Sequence, residues 1–152
     1  MLKSISTLFS SLILLTASFA FGLEPIPGPA NGMPGAANGS ISGSLGYPSD
    51  EVPALQVVAF AAGDFKKFYK TEVPKAQSSF TIQQVPPGSY VVVAYTLDSP
   101  MRGGYSKAVA CGLEAKCTDH SLVPVKVEAG KTAGGVELKD WYAPENAFPP
   151  RP

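Results

Sequence analysis

The stretch Phe80-Thr81-Ile82-Gln83-Gln84-Val85-Pro86-Pro87-Gly88-Ser89-Tyr90-Val91-Val92-Val93-Ala94-Tyr95 places two apolar runs on either side of a Pro-Pro-Gly turn. Phe80 and Ile82 alternate with Thr81 and Gln83, the period of two that suits a strand buried on one face. Pro86 and Pro87 bring a fixed φ and no N–H, and Gly88 accepts the backbone angles of a tight reversal, so no helix runs through them. The stretch reads as a β-hairpin.

Outward from it, the remaining apolar runs are short, rich in Val, Ile, Tyr and Phe, and punctuated by Gly, Pro, Ser and Asp. Strands are predicted over 40–46, 54–62, 66–73, 78–85, 89–97, 122–128 and 134–139, and no amphipathic helix of any length is apparent. Seven short strands suit an all-β chain of two packed antiparallel sheets. Leu55, Val57 and Ala59 alternate with Gln56, Val58 and Phe60, and the polar Gln56 marks the second set as the less buried one. The inner faces then receive Leu55, Val57, Ala59, Phe80, Ile82, Tyr90, Val92, Ala94, Val123, Val125, Val127, Val136 and Leu138, each buried aliphatic contributing roughly 1.5–3 kcal/mol. Phe65, Phe68 and Tyr69, interleaved with Lys66, Lys67 and Lys70, suit a half-buried edge strand whose lysines oppose sheet-to-sheet association.

The long connection over 98–121 breaks this regularity. It carries Met101, Arg102, Gly103, Gly104, Tyr105, Lys107, both cysteines, Asp119 and the only histidine, His120. Tyr105 to Leu113 has room for one or two helical turns ending near Gly112. Cys111 and Cys117 lie in the part of the chain expected to reach an oxidising compartment, so they are predicted to pair, closing a small loop for about 2–3 kcal/mol. The competing reading, a metal held with Asp119 and His120, matches no common zinc spacing. Beyond the last strand, Trp141 and Tyr142 either cover the open end of the sandwich or present an aromatic platform.

The amino terminus has the layout of an export signal: Lys3, an uncharged run over 8–21, and small residues at Ser18 and Ala20. That run is shorter than the roughly 20 residues that span a bilayer, so cleavage is expected after Ala20, with Gly22 as the alternative position. Residues 21–39, dense in Pro, Gly, Ala and Asn, read as a flexible linker. A sandwich follows over 40–143, and a Pro-rich tail over 144–152 closes the chain. With twelve Lys and Arg against twelve Asp and Glu, the chain has no basic stripe for a phosphate backbone, and nucleic acid is excluded as a partner.

Ile41-Ser42-Gly43-Ser44-Leu45, Pro53-Ala54-Leu55-Gln56-Val57-Val58-Ala59, Phe80-Thr81-Ile82 and, above all, Val85-Pro86-Pro87-Gly88-Ser89-Tyr90-Val91-Val92-Val93-Ala94 resemble the carboxypeptidase regulatory-like domains. Over 111–120 and 140–144 the chain looks like small exported bacterial members of that group. The resemblance implies a transthyretin-like (prealbumin-like), seven-stranded Greek-key β-sandwich of the kind found as accessory modules in secreted and surface proteins. It implies no peptidase activity, because in metallocarboxypeptidases the zinc sits in a separate catalytic domain. The transthyretin-like branch that hydrolyses 5-hydroxyisourate uses several histidines and a C-terminal Tyr-Arg-Gly-Ser, whereas this chain has one histidine and ends in Arg151-Pro152.

Gly104-Tyr105-Ser106-Lys107-Ala108 faintly resembles a nucleophile elbow with His120 as base and Asp119 as orienting acid, a hydrolase reading that requires Ser106 and His120 within hydrogen-bond reach. The expectation is instead a non-catalytic secreted or periplasmic interaction or structural module, monomeric or weakly dimeric, needing no cofactor and having no membrane anchor after cleavage. Its partner at the cell surface would be a protein or a glycan. The candidate contact surface comprises Arg102, Tyr105, Lys107, Asp119, His120, Trp141 and Tyr142 on the stapled loop and the strand end. Carbohydrate binding through exposed aromatics is the alternative.

Overall fold

A computed structural model describes residues 37–152; the expected export signal with its cleavage position Ala20, and nearly all of the expected linker, lie outside them. The described chain is all-β apart from one short helix. Its elements run β1 (Gly39–Leu45), β2 (Leu55–Ala61), β3 (Asp64–Val73), β4 (Ser79–Val85), β5 (Gly88–Thr96), β6 (Arg102–Gly104), α1 (Lys107–Cys111), β7 (Val125–Val127) and β8 (Thr132–Leu138). One sheet has the order β4-β1-β8; the other runs β3-β2-β5-β6, with β7 also pairing with β5.

The Pro-Pro-Gly stretch does not close a hairpin. β4 pairs with β1 in one sheet while β5 pairs with β2 in the other, so Pro86-Pro87-Gly88 carries the chain across the core. Two prolines in succession offer no N–H with which to continue a ladder, and the Tyr90 hydroxyl donates to the Pro86 carbonyl at 2.8 Å, fixing the corner. Nor are the sheets wholly antiparallel: β1 and β8 run parallel, from Ser40 opposite Thr132 to Leu45 opposite Leu138.

The inner faces follow the alternation. Ile41, Leu55, Val57, Ala59, Phe80, Ile82, Tyr90, Val92, Ala94, Val125, Val127, Val136 and Leu138 form one core drawn from both sheets. Val123 is only half buried, because Pro124 ends the ladder and β7 begins at Val125. β3 is the edge strand expected, with Lys66, Lys67 and Lys70 exposed and Phe68 and Tyr69 half buried.

The outer face of the five-stranded sheet departs from expectation. Gln56, Val58 and Phe60 are all buried, and the last two join Val91, Val93, Tyr95 and Phe148 in a second apolar cluster. Gln56 Oε1 has no hydrogen-bond partner among the described residues. The cover is the Pro-rich tail, which lies on the sheet as a strap. Phe148 is buried, Tyr95 Oη donates to the Pro149 carbonyl at 2.7 Å, Arg102 donates to the Phe148 carbonyl at 2.9 Å, and Arg151 donates to the Thr96 carbonyl at 3.2 Å.

An eighth strand, β6, lies inside the long connection. Its Gly103 and Gly104 have little strand preference of their own, yet they pair with Ala94 and Val93 on β5. Their lack of side chains makes room on both faces. A Cβ on Gly103 would lie 2.5 Å from the Trp141 ring, and one on Gly104 would lie 2.7 Å from the Phe148 ring. The glycine pair therefore seats one aromatic in the core and another, the strap's own Phe148, on the outer face of the sheet.

Candidate functional site

β8 ends beside β6, where Gly104 and Asp140 exchange backbone hydrogen bonds of 3.0 and 3.3 Å. That bridge holds the Asp140 side chain inside the protein, with no exposed surface. An ionised carboxylate there requires donors on every side. Its Oδ2 accepts from Ser106 Oγ at 2.5 Å and from His120 Nδ1 at 2.7 Å, and its Oδ1 accepts from the Tyr142 N–H at 3.3 Å. Ser106 occupies the N-cap position of α1 but makes no capping hydrogen bond, because its hydroxyl is committed to Asp140. A proton on His120 Nδ1 leaves Nε2, on the opposite edge of the ring, as an acceptor. The His120 side chain is 21% exposed.

The loop between α1 and His120 is held at several points. Gly112 adopts φ 104° and Leu113 φ 56°, both left-handed; the Gly112 N–H bonds to Val109 O and the Leu113 N–H to Ala108 O, so the helix ends in a Schellman-type turn. Cys111 and Cys117 are disulfide-bonded with Cα atoms 5.8 Å apart, as the export reading expects. The Cys117 N–H then turns back to the Glu114 carbonyl at 2.8 Å.

This loop forms one wall of a groove of about 470 Å³, and His120 and Tyr142 complete it. Tyr142 is 67% exposed. A second depression of about 220 Å³, bounded by Tyr47 and Lys139, shares Leu113 and Tyr142 with the first. The pair of aromatics at the strand end is thus divided. Trp141 points inward, 8% exposed, edge-on to Tyr47 at 4.9 Å, its indole N–H donating to the Gly46 carbonyl; Tyr142 points out.

Of the candidate contact residues, only His120 and Tyr142 meet in the groove. Arg102 is occupied in holding the strap, and Tyr105 packs half buried against the core, its N–H on Val92 O. Lys107 and Asp119 form an exposed ion pair at 3.0 Å outside the groove lining. Asp119 also accepts from the Ser121 hydroxyl at 2.5 Å and the Ser121 N–H at 3.0 Å; these bonds, ahead of Lys107, hold its carboxyl well below the usual carboxylate range.

Ser106 and His120 do not hydrogen-bond each other among the described residues. Both donate to the same oxygen of Asp140, and the Ser106 hydroxyl is fully buried. Among the described residues, no three His, Cys, Asp or Glu side chains gather as metal ligands would.

Asp140 itself was not legible as a site residue. The usable signal was an acidic side chain at the end of a buried strand, in a chain with a single histidine. Comparison with protein-family models, with curated proteins and with solved structures returned no match.

Proposed function

We propose that the protein is a non-catalytic, exported interaction or structural module whose contact face is the groove between the disulfide-closed loop and Tyr142. The observation that carries this reading is the pairing of an exposed aromatic, Tyr142, with a histidine whose orientation is fixed by a fully buried carboxylate. Such a tethered arrangement lets a loop present the same surface in free and bound states, which lowers the ordering cost of association. The disulfide favours an oxidising destination. A Greek-key, transthyretin-like sandwich of the carboxypeptidase regulatory-like type is the architecture we assign. Its support is the pair of sheets, the crossing at Pro86-Pro87-Gly88 and the Tyr90 corner.

Site-specific photocrosslinking in exporting cells tests the contact face. A photoreactive residue at Tyr142 is expected to capture an adduct that the same residue at exposed Lys67, on β3, does not. Equal capture at both positions, or none at Tyr142, overturns the assignment.

A further inference from the structure

The two depressions that meet at Leu113 and Tyr142 form one shallow track, about 470 Å³ on the His120 side and about 220 Å³ on the Tyr47 side. An exposed phenol ring stands between them. A track with a central aromatic and flanking hollows suits a linear ligand whose successive units are alike and each present an apolar C–H face, one stacked on the ring and its neighbours to either side.

The charges around the track select further. Lys116 is paired with Glu114 at 2.9 Å, Lys139 with Glu137 at 3.2 Å and, farther along the loop, Lys107 with Asp119 at 3.0 Å. Among the described residues each lysine near the groove already has an anion, so no unpaired cation attracts a phosphate or a uronic acid. What the track offers is the exposed Tyr142 ring, Thr118 and the His120 ring, held from behind by Asp140 through Nδ1, so that in the neutral ring Nε2 is left to accept. A polyhydroxylated ligand donates to such an acceptor and lays its C–H face on the ring.

We infer that the groove binds a neutral oligosaccharide, with one sugar stacked on Tyr142 and a hydroxyl of a neighbouring unit donating to His120 Nε2. The inference rests on the reading of this groove as the contact face, and names its ligand class.

The test is an array of neutral oligosaccharides of graded length, with charged glycans alongside, followed by calorimetry on the strongest binder. Wild type is compared with Tyr142→Ala, Tyr142→Phe and His120→Ala, and each variant is first checked for the wild-type circular dichroism spectrum. Expected are affinity that rises from one sugar to three, at least about a tenfold loss in Tyr142→Ala, and retention in Tyr142→Phe. Because His120→Ala disturbs Asp140, Tyr142→Phe and Tyr142→Ala carry the decision; both alter an exposed ring that the fold does not need. Absence of any neutral-glycan binding, preference for charged glycans, or equal binding by Tyr142→Ala overturns the inference. A protein crosslinked at Tyr142 with no glycan binding would sink the ligand class and keep the contact face. Neither crosslink nor glycan would sink both.

Discussion

The indole of Trp141 rests directly on the backbone of Gly103, close enough that a Cβ at that position would fall 2.5 Å from the ring. Gly103→Ala must push the indole away or open β6 from β5, and overpacking of this kind costs about 1–3 kcal/mol. Urea titration is expected to show that loss. Trp141 emission is expected to be blue-shifted and shielded from acrylamide in the wild type, where the ring is buried, and to shift red in the variant.

The Asp140 carboxylate is the support of the groove. Ser106→Ala leaves it one donor short and is expected to cost about 1–3 kcal/mol. Asp140→Ala strands the Ser106 hydroxyl and frees the His120 ring, so it is expected to cost at least as much. The two substitutions act on one hydrogen bond, and a double-mutant cycle should give markedly less than the sum of the single losses.

Phe148 fastens the C-terminal strap. Phe148→Ala is expected to destabilise by about 3–5 kcal/mol and to expose Val58, Phe60 and Val93, read as binding of a dye that reports apolar surface. A chain ending at Ala143 should behave in the same way.

The Tyr95 hydroxyl ties that strap to β5, and burial pushes its phenol up. A folded value above the unfolded one means that the contribution is complete below the unfolded phenol value of about 10 and is lost as pH rises beyond it. Tyr95→Phe is expected to cost about 0.5–1.5 kcal/mol near neutrality and to flatten the alkaline decline of the urea midpoint.

Asp119 titrates with the opposite sign. Its folded value is depressed, so its contribution is complete above the ordinary aspartate value of about 3.9 and fades as pH falls through the folded one. Because the group is exposed, the effect is local. The Ser121 amide proton, followed by NMR, is expected to keep its hydrogen-bonded shift to well below the usual carboxylate range. In Asp119→Asn that acid transition should vanish.

Alternation made the inner faces readable in advance, because a period of two with Leu55, Val57 and Ala59 on one side has only one way to bury its apolar set. Partnership was harder to read. A pair of strands flanking Pro86-Pro87-Gly88 has the same local pattern whether they pair or part, and only the ladders to β1 and β2 decide. β6 escaped notice for a related reason: Arg102, Gly103 and Gly104 are a strand because β5 has a free edge and two rings need room, not by their own preference. Gln56 pointed to an open outer face because nothing in its neighbourhood foretells a strap from residues ninety positions away. The disulfide and the helical turn ending at Gly112 were foreseeable; that Trp141 would cap the core while its neighbour Tyr142 points out was not, because adjacent strand-end aromatics give no sign of which one turns inward. The Ser106, His120 and Asp140 cluster joins residues 34 and 20 positions apart, a separation that leaves no periodic trace.

The parallel run of β1 and β8 gives the domain a polarity. Both strands start at one pole, by Ser40 and Thr132, and both finish at the other, where Gly46 and Tyr47 follow β1 and Tyr142 follows β8. Seven residues of extended chain separate the poles by about 20 Å. Protein anchored through the backbone ahead of β1 would therefore carry its groove on the distal side, like a hand at the end of an arm. Attachment at the amino end is the geometry in which an immobilised sample keeps that face open.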